Sequence, residues 1–300
     1  MPNSPKPEVK KPSISIVGSG RLGTALAIAL SSLNYEVQAL VARTLGHARR
    51  AAALLGSPPL ALSAEQLHRL PASQLILIST PDGAIREVAE NLANLNARRS
   101  GRIVLHTSGA LSSAEVLALL ATVGFSTGSL HPLVSISSPQ GATEKLRGAF
   151  YCIEGEAAAR RTAASIVRDL GGQSFRIAAK DKALYHAAAV TASGHVTALV
   201  AVAIEMLVKC GLDKKTARRV LMPLLQSTVA NLSEADPSAA LTGTFARGDL
   251  DTVKRHLRAL SDKGLPEALA AYKLLGRRSL DLTVQKVDPA IRAQILRKLK

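Results

Sequence analysis

Ser13–Leu30, SISIVGSGRLGTALAIAL, constrains this chain more than any other stretch. A β-branched run (Ile14, Ile16, Val17) stops at Gly18-Ser19-Gly20-Arg21-Leu22-Gly23, and an Ala- and Leu-rich helical pattern follows at once. Strand, G-x-G-x-x-G turn and helix in immediate succession make one βα unit with a purpose. Gly18 allows the tight turn, Gly20 lets the backbone approach a ligand, and Gly23 lets the helix pack on the strand. The helix start then offers free N–H donors and partial positive charge, which suit a pyrophosphate. The pattern predicts a dinucleotide cradle built from Gly18, Ser19, Gly20, Arg21, Leu22 and Gly23.

The next strand reads from Glu36 to Val41, and its end selects between two cofactors. An NAD site usually places Asp or Glu about twenty residues past the last glycine, on the ribose 2′-hydroxyl. Arg43 and Thr44 stand there instead, followed by His47, Arg49 and Arg50, and no carboxylate occurs between Glu36 and Glu65. A guanidinium binds a phosphate through a planar fork, and Thr44 can cap the following helix. The expected cofactor is therefore NADP, with Arg43 and Thr44 on its 2′-phosphate.

Further runs of the same design follow at Gln74–Ser79, Arg102–His106 and Gly124–His131, alternating with helical patterns. This predicts an α/β chain: an N-terminal Rossmann-type, doubly wound parallel sheet followed by an α-helical C-terminal domain. Ligands of such sheets sit at the carboxyl ends of the strands. Thr80 and Pro81, His106, Thr107 and Ser108, and His131 all fall at those ends. Thr80, Pro81, Thr107 and Ser108 are expected on the cofactor; His106 and His131 are expected on the substrate side. Phe150–Ile153 and Ser174–Ile177 read as two more strands flanking a helix at 157–170. Beyond them the pattern is helical: 181–209 as one helix or two joined near Gly194, 214–232 with a kink or break at Pro223, 249–260 and 267–275.

Three hundred residues suit two domains. The expected layout is a disordered tail over 1–12, an NADP-binding domain over 13–150, and a mainly helical substrate and dimerisation domain over 151–300. The net charge of +16 favours anionic partners, but the Lys and Arg are scattered and no nucleic-acid motif accompanies them. Cys152 and Cys210 have no metal or framework spacing and read as reduced, buried thiols of a cytoplasmic protein. Residues 187–204 carry no Asp, Glu, Lys or Arg and are long enough to span a bilayer. Their Ala-rich, Thr- and Ser-interrupted composition reads better as a helix buried between domains or protomers. No Ser-His-Asp order, H-E-x-x-H or Cys/His cluster supports a hydrolase or metalloenzyme.

Five further stretches carry a resemblance: Leu105–Ser113 (LHTSGALSS), Ser129–Ile136 (SLHPLVSI), Lys182–His195 (KALYHAAAVTASGH), Leu221–Leu232 (LMPLLQSTVANL) and Leu241–Asp249 (LTGTFARGD). With the glycine loop they cover most of the chain. In that order they resemble the Rossmann-like bacterial proteins whose C-terminal half was defined as a domain of unknown function. That family is similar in plan to the pyrroline-5-carboxylate reductase, ketopantoate reductase and 3-hydroxyacid dehydrogenase groups. The resemblance implies an NADP-binding domain, a helical second domain and a homodimer formed through the C-terminal helices. In the latter two groups an interdomain helix carries a catalytic Lys with Asn one turn later. Lys182 resembles that Lys, with His186 where the Asn is expected. The implied activity is reduction of a carbonyl or imine on a small anionic metabolite. In that reaction Lys182 is the proton donor and His186 the orienter. The alternatives are an NADP(H)-binding sensor or scaffold without turnover and, third, a methyltransferase using S-adenosylmethionine.

Overall fold

The structure is a computed structural model that describes residues 11–95, 101–283 and 286–300. Most of the expected N-terminal tail therefore lies outside the described residues. Lys11 is held in place: its ammonium donates to the Leu33 carbonyl at 2.7 Å and pairs with Asp169 at 3.3 Å. The backbone forms two compact units, Met1–Ser193 and Gly194–Lys300.

The first unit is built on eight strands: β1 (Ile14–Val17), β2 (Val37–Ala42), β3 (Leu60–Ser63), β4 (Leu75–Ile78), β5 (Ile103–His106), β6 (Ser126–Pro132), β7 (Phe150–Gly155) and β8 (Gln173–Phe175). They form one sheet in the order β3-β2-β1-β4-β5-β6-β7-β8. The strands β1 to β6 pair in parallel, β7 runs antiparallel to β6, and β8 is parallel to β7. Each residue of ISIV in β1 and LILI in β4 is buried. Such fully buried runs, apolar except for Ser15, belong to strands covered on both faces.

One face is covered by α1 (Arg21–Ser31), α6 (Ala142–Leu146) and α7 (Ala157–Asp169). Leu26, Leu30, Ala163 and Ile166 share a cluster there with Leu77, Leu105 and Leu130. The other is covered by α3 (Asp82–Leu95), α4 (Ser113–Val116) and α5 (Ala118–Thr122). Ile85, Leu92, Val116 and Leu120 cluster there with Ile76, Ile78 and Val104. A short helix, α2 (Leu45–Ala52), joins β2 to β3. The chain builds outward from β1 to β3, then returns to place β4 on the other side of β1. That reversal opens a crevice at the carboxyl ends of β1 and β4, where ligands bind in such sheets.

Two details depart from the sequence reading. The strand β3 was not anticipated; Pro58 and Pro59 precede it, and four residues give little alternation to read. Strand β7 runs against the sheet's direction and ends at Gly155, which has φ +116° and lies opposite Gly128, where a side chain would meet the Gly128 Cα at 2.3 Å. Only glycine fits that crossing.

The first unit continues into α8 (Lys182–Val190), and a π-helical stretch, Thr191–His195, leads into α9 (Val196–Lys209). The predicted junction near Gly194 is thus a π segment rather than a break. The second unit adds α10 (Lys214–Glu234), α11 (Pro237–Ala240), α12 (Leu250–Asp262), α13 (Pro266–Asp281) and α14 (Pro289–Lys298). Helix α10 runs through Pro223 unbroken. Helix α14 was not anticipated; it begins with Asp288 capping the amides of Ala290 and Ile291 and Pro289 in the first turn. Val253, Leu280, Ile295 and Leu299 form this unit's small core with Phe245 and Tyr272.

The apolar segment expected to be buried is not buried within this chain. Ala179–Lys209 is long and apolar enough to cross a membrane, with a mean hydropathy of 1.8, and no residue of its most apolar window is fully buried. Leu199, Val220, Leu224 and Val229 are likewise exposed. Cys210 is also exposed, contrary to the expectation of two buried thiols, whereas Cys152 is buried; both are free.

Candidate active site

The glycine loop is pinned from behind. The amides of Gly18 and Ser19 both donate to the Val41 carbonyl at 2.9 Å, which ties the loop to the end of β2. A side chain on Gly18 would lie 2.5 Å from the Ser79 carbonyl group, and one on Gly23 would lie 2.0 Å from the Gly18 oxygen. Gly20 differs, because a side chain there would meet nothing within 4 Å. It faces the space a ligand would fill.

The donors left for a phosphate are those of Gly20 and the first turn of α1, not those of Gly18 and Ser19. No side chain caps that turn and no acid stands in it, so the N–H groups of Arg21, Leu22 and Gly23 keep their capacity to bind an anion. Two buried hydroxyls, Ser19 Oγ and Thr80 Oγ1, have no hydrogen-bond partner among the described residues. Buried polar atoms are ordinarily satisfied, and here an oxygen-rich ligand would satisfy them. These residues fit a dinucleotide pyrophosphate.

Arg43 is exposed, directly after β2 and two residues past the carbonyl that holds the loop. Thr44 caps α2 by accepting from the His47 amide, and α2 has no acid in its first turn. The local field is positive, as a 2′-phosphate requires. Pro81 precedes α3 directly. Thr107 is buried at the end of β5; its amide donates to the Ile78 carbonyl and its hydroxyl to Ser79 Oγ at 3.3 Å.

The residues expected around the substrate divide into two layers. The inner layer is a buried polar network. The Lys182 ammonium donates to Ser129 Oγ at 2.8 Å, the Ser108 carbonyl at 3.3 Å and Glu154 Oε1 at 3.5 Å. Burial lowers its pKa, opposed by the charges of Glu154, Cys152 and Asp82. Glu154 in turn accepts from the Ser113 amide at 2.8 Å and the Ser113 hydroxyl at 3.0 Å. Lys182 is fully buried, so it is not an exposed helix-start lysine. All three of its donors are engaged.

His106 and Ser108 belong to the same layer. Ser108 donates its amide to His106 Nδ1 at 3.1 Å, and its hydroxyl oxygen accepts from the amides of Ala110 and Leu111. That leaves only its hydroxyl proton for a ligand. With Nδ1 accepting, neutral His106 carries its proton on Nε2, which is buried and without a hydrogen-bond partner among the described residues. Glu154 Oε1 lies 3.8 Å from it, too far for a hydrogen bond. Burial first, then Lys182 and His131, pushes the His106 pKa down to about 3.

The outer layer is a ring cluster. His131 Nδ1 and the Tyr185 hydroxyl are 2.7 Å apart. The His131 ring meets Tyr185 edge-on at 5.6 Å and His186 at 5.8 Å between centroids. Both imidazoles press on Gly109, where a side chain would lie 2.7 Å from His186 and 2.8 Å from His131. Burial, His186 and Lys182 push the His131 pKa down to about 4, so it is neutral at pH 7. Lys182 and His186 thus share a helix but serve different layers.

The sequence reading missed Tyr185, Glu154, Ser129 and Ser113. Tyr185 stands three residues past Lys182, within one turn on the same face of α8, which is a legible signal. Glu154 is a charge inside FYCIEG, otherwise an apolar strand, and a buried charge needs a partner. Among the described residues no group of three His, Cys, Asp or Glu could hold a metal ion.

An open, mostly parallel sheet with a glycine loop after its first strand and a polar cluster at its strand ends defines a Rossmann-type fold. Residues 2–132 match the Rossmann-like domain, and residues 149–279 match the domain of unknown function DUF2520. The chain belongs to the Rossmann-like proteins that carry this second domain. Its fold is that of protein BF3122 from Bacteroides fragilis, provisionally described as an NADP oxidoreductase. That protein is 23% identical with a TM-score of 0.73, over 91% of this chain and 100% of that one. Protein TM1727 from Thermotoga maritima is 21% identical with a TM-score of 0.69, over 91% and 98%. The reductive aminase from Aspergillus terreus, solved with NADPH and ethyl-5-oxohexanoate, is 17% identical with a TM-score of 0.64, over 95% and 99%. Comparison with curated proteins yields no match.

Proposed function

We propose that this protein is an NADP-dependent oxidoreductase that reduces a carbonyl or imine of a small, anionic metabolite. One observation carries the cofactor half of the reading. An uncapped helix start and two partnerless buried hydroxyls share one crevice, with Arg43 beside the loop. The structural relatives add support: one is an NADPH-bound reductive aminase, another an imine reductase from Pseudomonas.

In this reading Gly20, Arg21, Leu22 and Gly23 hold the pyrophosphate through backbone donors, with Ser19 and Thr80 adding hydroxyls. Arg43 and Thr44 receive the 2′-phosphate, and Pro81 and Thr107 line the nicotinamide side. When bound, NADPH supplies the hydride. The chain's own task is to orient the acceptor and deliver a proton. Lys182 supplies positive potential that favours a developing oxyanion or amide anion. Its three engaged donors shift the proton-delivering role to the outer layer, where His186 and the Tyr185–His131 pair stand. Equilibrium fluorescence titration with NADPH and NADH, then NADPH consumption on a panel of 2-keto acids and cyclic imines, tests both halves.

The same engaged Lys182 favours one alternative, an NADP(H)-binding sensor without turnover. Binding with no turnover on any carbonyl or imine would select it. We further propose that a second copy of the chain covers the exposed apolar surfaces of α9 and α10, giving a homodimer, and that the protein works in the cytoplasm. Patches of that extent rarely stay open to water.

A further inference from the structure

We propose that Glu154 is a positioning residue: from β7 it tethers Lys182 and the start of α4, and so sets the shape of the loop between β5 and α4. This rests on the reductase reading for its catalytic consequence, but not for its structural content.

The loop in question, residues 107–112, carries Thr107, Ser108 and Gly109 between the carboxyl end of β5 and the first turn of α4. It is gripped at both ends by one ion pair. Lys182 takes the Ser108 carbonyl at its near end, and Glu154 takes the Ser113 amide and hydroxyl at its far end. The ion pair between them, Nζ to Oε1 at 3.5 Å, closes the circuit. Gly109 sits in the middle, under the rings of His131 and His186. A displacement of either grip would move the surface against which those rings pack.

The carboxylate cannot be exchanged for a neutral group without consequence. Two oxygens accept three hydrogen bonds here, and the lysine they face is wholly buried. A buried ammonium without a counter-ion is costly and tends to shed its proton. The groups that face Lys182 are Glu154 and Cys152 from β7, His106 from β5, His131 from β6 and Asp82 from α3, while its own helix carries Tyr185 and His186. Glu154 contributes the largest opposing charge among them. A neutral lysine would also keep only two N–H donors for three acceptors, so one grip on the loop would open.

The test uses the full-length chain labelled with 13C-lysine, with the Lys182 Cε resonance assigned through Lys182→Arg. The account predicts that Glu154→Gln lowers the pH at which Lys182 loses its proton. It also predicts that kcat, if turnover is found, falls by about tenfold or more with a shifted pH profile. A folded Glu154→Gln protein in which Lys182 titrates as in the wild type overturns the proposal. Should that variant fail to fold, Glu154→Asp replaces it. The shorter carboxylate must shift Lys182 in the same direction, and an unshifted resonance overturns the proposal equally. Absence of turnover in the wild type would instead count against the reductase reading, and the lysine titration would still decide this one.

Discussion

The Ser19 amide donates to the Val41 carbonyl at 2.9 Å, so the glycine loop is fastened two residues before Arg43. In the proposed reading, one piece of backbone thus sets both halves of the cofactor site. If Arg43 selects the 2′-phosphate, its loss should be selective. Arg43→Ala should weaken NADPH by about tenfold or more, the worth of one charge-assisted contact, and leave NADH nearly unchanged. Equal loss for both, measured by fluorescence titration, would remove Arg43 from that role.

The glycines of the loop separate space for a ligand from space for the fold. Gly23→Ala puts a methyl group into the Gly18 carbonyl and should destabilise the first unit by about 1–3 kcal/mol or more. Gly20→Ala meets no atom of the protein, and Gly20 has φ −74°, which alanine adopts freely. It should cost no more than about 1 kcal/mol as an N-cap change and still weaken NADPH binding by about tenfold. Thermal unfolding and coenzyme titration on both variants check this. A Gly20→Ala protein with intact affinity would mean that the ligand does not pass over Gly20.

Two buried histidines make the fold sensitive to acid. His106 and His131 have pKa values pushed from 6.5 down to about 3 and about 4 in the folded chain. Below pH 6.5 the unfolded chain takes up these protons while the folded chain does not. Stability therefore falls as the pH drops from 6.5 towards 4. At pH 5 the loss should be on the order of 1–2 kcal/mol for each histidine. Urea midpoints at pH 7 and 5 measure it, and His106→Gln should show a smaller drop between the two. An equal drop would place the acid sensitivity elsewhere.

The exposed leucines of α10 bear on assembly. Leu224 is 65% exposed in the single chain, so Leu224→Glu should cost the isolated fold little. Sedimentation of the wild type should show a dimer, and the variant should shift towards monomer. A monomeric wild type would contradict the proposed homodimer.

Much of this was legible in the residues. Strands β1, β2, β4 and β5 announced themselves because sheets covered on both faces need short, mostly apolar runs, and those of β4 and β5 ended in polar groups. The glycine loop was legible because each glycine has its own steric reason. The antiparallel β7 was not, since pairing direction is set by how the connection after β6 returns to the sheet, and the close pairing of Gly155 with Gly128 joins residues far apart in the chain. Nor was the network around Lys182 apparent. Helical spacing put Lys182 and His186 on one face, but whether an ammonium turns outward or inward depends on Glu154 and Ser129, which arrive from distant strands.

The central claim is that backbone donors after β1 grip a dinucleotide diphosphate and that Arg43 chooses its phosphorylated form. Equilibrium titration of the wild-type chain with NADPH and NADH under identical conditions tests this most directly. The account predicts saturable binding of both, with NADPH tighter by about tenfold or more. No binding of either coenzyme, or a preference for NADH, would contradict it.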